Sequence, residues 1–151
     1  KDKTSWNYVS YTTALEKCTS KYTGKSYTSS LLTGAAWDRT LGWIYETGNK
    51  TEMQIVGDSK DWGNYNDDTF SGTTELINTG SKEETKANNI YDLAGNVWEW
   101  TTEAVLPAYQ VDRGGIYSDS ASFSPSCSRL DNDSPDIANL AGLGFRPAIY
   151  L

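Results

Sequence analysis

The sequence predicts an α+β fold, on three observations. Apolar residues recur at helical spacing only in the first third of the chain. Short runs that alternate apolar and polar residues fill the second half. Between them, residues 57–80 are rich in Gly, Asn, Asp, Ser and Thr, which is the composition of long irregular loops. At 151 residues the chain has the length of one domain around one core.

Residues 11–21 carry Ala14, Leu15 and Cys18 at helical spacing, with Gly24 as a stop. Residues 27–32 alternate weakly and predict a short strand. Thr33 has the character of an N-cap for a second helix, because Trp37, Leu41 and Ile44 recur on one face and Gly48 and Asn49 end it. Within the loops of residues 57–80, Trp62, Tyr65 and Phe70 predict packed rather than loose chain. Residues 96–102 interleave Val97, Trp98 and Trp100 with polar residues, so both tryptophans face one side of a strand and a core or layer-packing role is expected for them. Residues 108–112 are expected to pair nearby. Ile116 and Tyr117 begin another short strand, and residues 144–151 form the last.

Composition excludes several classes of function. The net charge is −7 and histidine is absent. Phosphate binding needs clustered Lys and Arg, so nucleic acid is not an expected partner. Without His, the usual general base near neutral pH and the commonest metal ligand are missing. No apolar run approaches the roughly 18 residues of a spanning helix, so no membrane insertion is expected. No signal-peptide pattern is visible, and residues 1–4 read as a cut within a longer protein. Residues 1–151 are therefore expected to be one excised domain. Cys18 and Cys127 allow one disulfide, although Cys18 on a helix face reads more simply as a buried free thiol.

Three segments are more specific: NNIYDLAGNVWEW (residues 88–100), VDRGG (111–115) and GFRPAIYL (144–151). In this order they resemble the sulfatase-modifying-factor family, the formylglycine-generating enzymes, whose members have a C-type-lectin-like fold. Residues 30–44, with LLTGAAWDRTLGWI, look like a diverged version of that family's preceding helix. The glycines suit tight turns or close backbone approach, and Arg113 and Arg146 suit structural ties between loops.

The family's oxidase chemistry relies on two reactive cysteines shortly after RGG that hold copper, a pairing of soft thiolates with Cu(I). The corresponding positions here fall near Asp119 and Ser124, so the thiol pair is absent and no enzyme activity is expected. The resemblance also implies a structural Ca²⁺ site, with Asp92, the carbonyls of Gly95 and Val97, and Glu99 as ligands. The alternative is that Asp92 caps the turn while Glu99 is an ordinary strand residue or an arginine's partner. No cofactor is required on either reading.

Residues 116–143, IYSDSASFSPSCSRLDNDSPDIANLAGL, contain no Lys, Glu, Gln, Met or Trp. These five types make up about a fifth of an ordinary chain, so their joint absence has odds on the order of one in a thousand. They are also the residues that no pyrimidine-ending codon encodes. Adenine-directed mutagenesis of Asn codons yields every other residue. The pattern resembles the variable proteins of diversity-generating retroelements, whose variable segment runs from near RGG to near GFR. An ordinary Ser/Asp/Asn-rich loop is the alternative.

The resemblance implies a ligand-binding face made by Ile116, Tyr117, Ser118, Asp119, Ser120, Phe123, Leu130, Asp131, Asp133, Ile137, Asn139, Leu140 and Leu143. Apolar anchors among adaptable polar residues suit such a role. The expected partner is a protein or glycan on a host or partner cell surface, with the domain exposed on a phage tail or a bacterial surface. A non-diversified adhesin or carbohydrate-binding module is the second reading.

Overall fold

A computed structural model describes residues 1–21, 26–67, 75–107, 109–132 and 140–150. Helix α1 (Tyr11–Lys21) turns Ala14 and Cys18 inward, as their spacing predicts. Burial pushes the Cys18 thiol up to about 11, and both cysteines are free. The stop assigned to Gly24 lies outside the described residues. Strand β1 (Thr28–Leu31) follows, burying Ser29 and Leu31.

Thr33 caps α2 (Gly34–Glu46), its hydroxyl accepting the Ala36 N–H at 3.0 Å. A cap of this kind contributes about 1 kcal/mol. Trp37, Leu41 and Ile44 form the buried stripe of α2. A short helix that periodicity does not reveal, α3 (Glu52–Val56), is started by a capping box between Thr51 and Gln54. Five residues are too few to show a stripe; the Thr-x-x-Gln spacing was the available signal.

Strands β2 (Lys86–Ala87) and β3 (Ile90–Tyr91) make a small antiparallel pair. Strands β4 (Trp98–Leu106), β5 (Tyr109–Arg113), β6 (Arg129–Asn132) and β7 (Leu143–Phe145) form a sheet in the order β6-β5-β4-β7. Only β7 runs parallel to its neighbour. Strand β8 (Pro147–Tyr150) pairs antiparallel with β1. One face of the larger sheet packs Trp100 and Leu143 against Val9, Ala14, Cys18 and Leu31. A second cluster gathers α2, Ile55, Trp62, Tyr65, Leu93 and Ala121. Trp62 and Tyr65 thus pack as their loop composition predicts, whereas Phe70 lies outside the described residues.

Three expectations are corrected. The strand expected over residues 144–151 is two strands, because Phe145 pairs with Trp100 while Pro147 pairs with Leu31. The chain changes sheets at Arg146, whose guanidinium is held by Glu99 and by the carbonyls of Tyr91 and Asp92. No strand begins at Ile116 and Tyr117, for residues 115–128 run through turns. Gly114 and Gly115, at φ 97° and 85°, steer the chain off the line of β5 there. Finally, Trp98 and Trp100 do share a face, but only Trp100 is fully enclosed, at 1% exposure. Trp98 is half-buried.

Asp112 lies on β5 between Trp100 of β4 and Leu130 of β6, fully buried, with no partner for Oδ1 among the described residues. Burial pushes its carboxyl up to about 7, and a hydrogen bond with Asn132 offsets this only in part. A folded-state value above the unfolded one means the folded protein holds the proton more tightly. That contribution is complete below the unfolded value of about 4 and is lost as pH rises toward and through 7. Between about pH 5 and about pH 8 Asp112 is expected to remove roughly 2–3 kcal/mol of stability, and Asp112→Asn to abolish that dependence. Urea unfolding of both proteins at the two pH values checks it; an unchanged difference between them would sink the assignment.

Candidate functional site

The turns after Gly115 and the start of β6 enclose a groove of about 440 Å³. Ile116, Ser118, Asp119, Phe123 and Leu130 line it, all expected from the sequence as ligand-binding residues. Phe123 is 81% exposed, and Leu130 stands out on β6. Tyr117 and Ser120 are half-buried beside these residues in the chain, and Asp131 is exposed on β6. Leu140 is exposed but does not line the groove. Leu143 is a correction: at 2% exposure it belongs to the core, where β7 pairs it with Trp98, and it offers no side chain to a ligand. Asp133, Ile137 and Asn139 lie outside the described residues.

The groove also uses Trp98, Ser124, Ser128 and Arg129, which are not among the site residues expected from the sequence. Arg129 and the serines carried no signal beyond membership in residues 116–143. Trp98 lies outside that segment, and its strand pattern pointed to the core.

Side chains vary least disruptively when the main chain beneath them is held by something else. Here residues outside the segment do the holding. Asn66 donates its backbone N–H to the Asp119 carbonyl at 3.0 Å and its side-chain amide to the Ser118 carbonyl at 2.9 Å. Asp67 Oδ1 accepts the Ala121 N–H at 2.9 Å. Ser59 Oγ accepts the Ser126 N–H at 3.0 Å, and the Trp37 indole donates to the Ser126 carbonyl at 3.0 Å. Arg113 Nη1 donates to the Cys127 carbonyl at 2.8 Å. The Gly115 backbone passes so close to the Ser124 carbonyl that a Cβ would sit 2.3 Å from it. Within the segment, Ala121 and Ser126 are fully buried, and Ser124 is buried at the groove's edge. The rest of the turn can present side chains without setting its own conformation.

Asp119 and Ser124, the positions where the family resemblance puts the copper-holding cysteines, are in contact: Ser124 Oγ donates to Asp119 Oδ2 at 2.6 Å. The backbone thus brings the two positions together, but a carboxylate and a hydroxyl do not supply the soft donors that Cu(I) takes. The thiol of Cys127 is raised by burial rather than activated.

The calcium donors do not fit the ion as folded. Asp92 Oδ2 accepts the Gly80 N–H at 2.7 Å and Oδ1 the Thr85 hydroxyl at 2.6 Å. Glu99 is held two-pronged by Arg146, at 2.8 and 2.7 Å. Gly95 donates its N–H to the Gly114 carbonyl at 2.8 Å, a bond that leaves its own carbonyl unengaged among the described residues. Arg146 also bonds the Asp92 carbonyl, so a fixed cation already occupies the mouth of this turn and Ca²⁺ would have to displace it. Among the described residues no cluster of three or more His, Cys, Asp or Glu could hold a metal.

The chain matches the family described as "Sulfatase-modifying factor enzyme 1-like domain" over residues 8–150. No curated protein matches it. Among solved structures it is similar to Treponema denticola variable protein 1, at 24% identity and a TM-score of 0.56 over 80% of this chain. It is also similar to CarF, at 22% identity and a TM-score of 0.55 over 81%. The matches take in 47% and 46% of those two chains, so this chain spans about half the length of the solved structures it matches. At these identities the likeness is one of fold.

Proposed function

The chain belongs to the sulfatase-modifying factor enzyme 1-like domain family, and we propose that within it the chain is a ligand-binding variable domain rather than an enzyme. The observation that carries this reading is the division of labour in residues 116–130. Their main chain is held by Trp37, Ser59, Asn66, Asp67 and Arg113, while Ser118, Phe123 and Leu130 present side chains to an open groove. The absence of five residue types from residues 116–143 has a direct cause if those side chains are drawn from pyrimidine-ending codons. The name of the Treponema structure, a variable protein, agrees with it.

The non-catalytic side of the proposal rests on chemistry. The chain has no histidine, and the contact between Ser124 and Asp119 provides no thiolate pair. The partner we propose is a surface molecule of a host or neighbouring cell, met by a domain displayed on a phage tail or a bacterial surface. No Ca²⁺ enters this reading.

A two-library experiment tests it. The exposed Ser118, Ser122, Phe123, Leu130 and Asp131, with half-buried Ser120, are randomised with pyrimidine-ending codons in one library; buried Ala121, Ser124 and Ser126 in the other. Most members of the first are expected to stay folded and soluble, since exposed substitutions usually stay within about 0.5 kcal/mol. Most members of the second are expected to lose cooperative melting. If the first library collapses as the second does, the segment is framework and the adhesin reading takes over.

A further inference from the structure

The groove has one large side chain that diversification of residues 116–143 would never touch. Trp98 stands on β4, outside the segment, and its register is fixed by pairing with Leu143 of β7 and by its own N–H bond to the Gly142 carbonyl at 2.8 Å. One side of the indole packs on the core around Trp100 and Leu143, and the other lines the groove with Ile116, Phe123 and Leu130. The fully enclosed tryptophans are used differently. Trp37, Trp62 and Trp100 each donate the indole N–H to a main-chain carbonyl, at 3.0, 2.9 and 2.9 Å. The Trp98 indole N–H makes no hydrogen bond among the described residues. Trp98 is half-buried and lines the groove, and an aromatic ring with a polar N–H still unengaged at such a place is suited to contact a ligand.

The lining favours an apolar occupant: Ile116, Phe123 and Leu130 stand around the ring, Phe123 and Leu130 exposed, with Ser118 and Ser128 contributing only small hydroxyls. Asp119 is engaged by Ser124, and Arg129 by Glu103. A sugar, with hydroxyls on every side, needs several unengaged donors and acceptors; an apolar side chain with a nearby main-chain carbonyl needs a ring face and one N–H. We infer that Trp98 is a constant anchor of the binding face, taking an apolar side chain of a protein partner while the residues around it change. The inference rests on the variable-domain reading and adds to it a fixed contact and a partner class.

The test selects binders from the library randomised at Ser118, Ser120, Ser122, Phe123, Leu130 and Asp131. Three separate probes are used: lysozyme, streptavidin and immobilised mannan. Trp98→Leu is then introduced into each binder, and affinity and melting temperature are measured. Protein binders with unrelated selected residues are expected to weaken alike, by about tenfold or more, while still melting cooperatively. Where Trp98→Leu is not folded at the assay temperature, Trp98→Phe keeps an aromatic face while removing the donor and the second ring, and a loss of a few-fold is expected. Losses confined to some binders, or none, overturn the constant anchor while leaving the display reading intact. Binders to mannan alone overturn the choice of a protein partner. A folded library that yields no binder to any probe counts against the variable-domain reading itself, and the anchor falls with it.

Discussion

Trp100→Ala is expected to destabilise the domain by about 3–5 kcal/mol, the range for truncating a large buried aromatic. Trp100 sits at the centre of its cluster, edge-on to Tyr11 with ring centroids 5.8 Å apart. Its indole donates to the Val9 carbonyl at 2.9 Å. The substitution therefore empties a site between the sheet and α1, and it also leaves a buried carbonyl without its donor. Chemical denaturation measures the loss directly. The same change at Trp98 should cost clearly less, since half of that ring already faces a groove. Equal losses at the two positions would mean that the groove is closed in solution and Trp98 is core.

Arg113→Ala is expected to cost about 3 kcal/mol, and Arg113→Lys most of that. The guanidinium is buried at the end of β5 and reaches in three directions: to the Cys127 carbonyl, to Asp38 on α2, and to Glu103 on β4. Its Nε lies 3.3 Å from Glu103 Oε2 as a charge contact without hydrogen-bond geometry. Asp38 is 65% exposed, so solvent screens that pair and it contributes little. The cost comes instead from the Cys127 carbonyl and from Glu103, which would be left with Arg129 alone. A compact ammonium cannot serve the three partners of a planar fork. Unfolding of both variants in urea decides the matter. A loss under about 0.5 kcal/mol in Arg113→Ala would show that desolvating the guanidinium cancels what its partners return. Because Arg113 also holds the turn at Cys127, the variant should loosen the groove as well as the fold.

The helices were legible because Ala14, Cys18, Trp37, Leu41 and Ile44 repeat with the helical period and Thr33 supplies a cap. Strand β4 was legible through Trp98 and Trp100, which alternate with polar residues. Strand ends were not, because the two-residue alternation does not say which sheet a strand joins; Arg146 settles that through contacts with Glu99 and the Tyr91 carbonyl, far away in sequence. Helix α3 was too short to show a stripe. At the site, composition alone marked residues 116–143, and it marked them as a block. Composition has no direction, so it could not separate buried Ala121, Ser124 and Ser126 from exposed Phe123, nor exclude Leu143.

By itself the sequence determined the α+β class, the family through its GNVWEW, RGG and GFR segments, and the segment whose side chains avoid five residue types. Those are properties of neighbouring residues and of codons, and they are fixed before the chain folds. Tertiary structure alone decided which side chains face solvent, that Arg146 ties Glu99 to the Asp92 carbonyl at this turn, and that Trp98 belongs to the groove. Each of these depends on groups brought together from distant parts of the chain, and burial and pairing exist only once those groups meet.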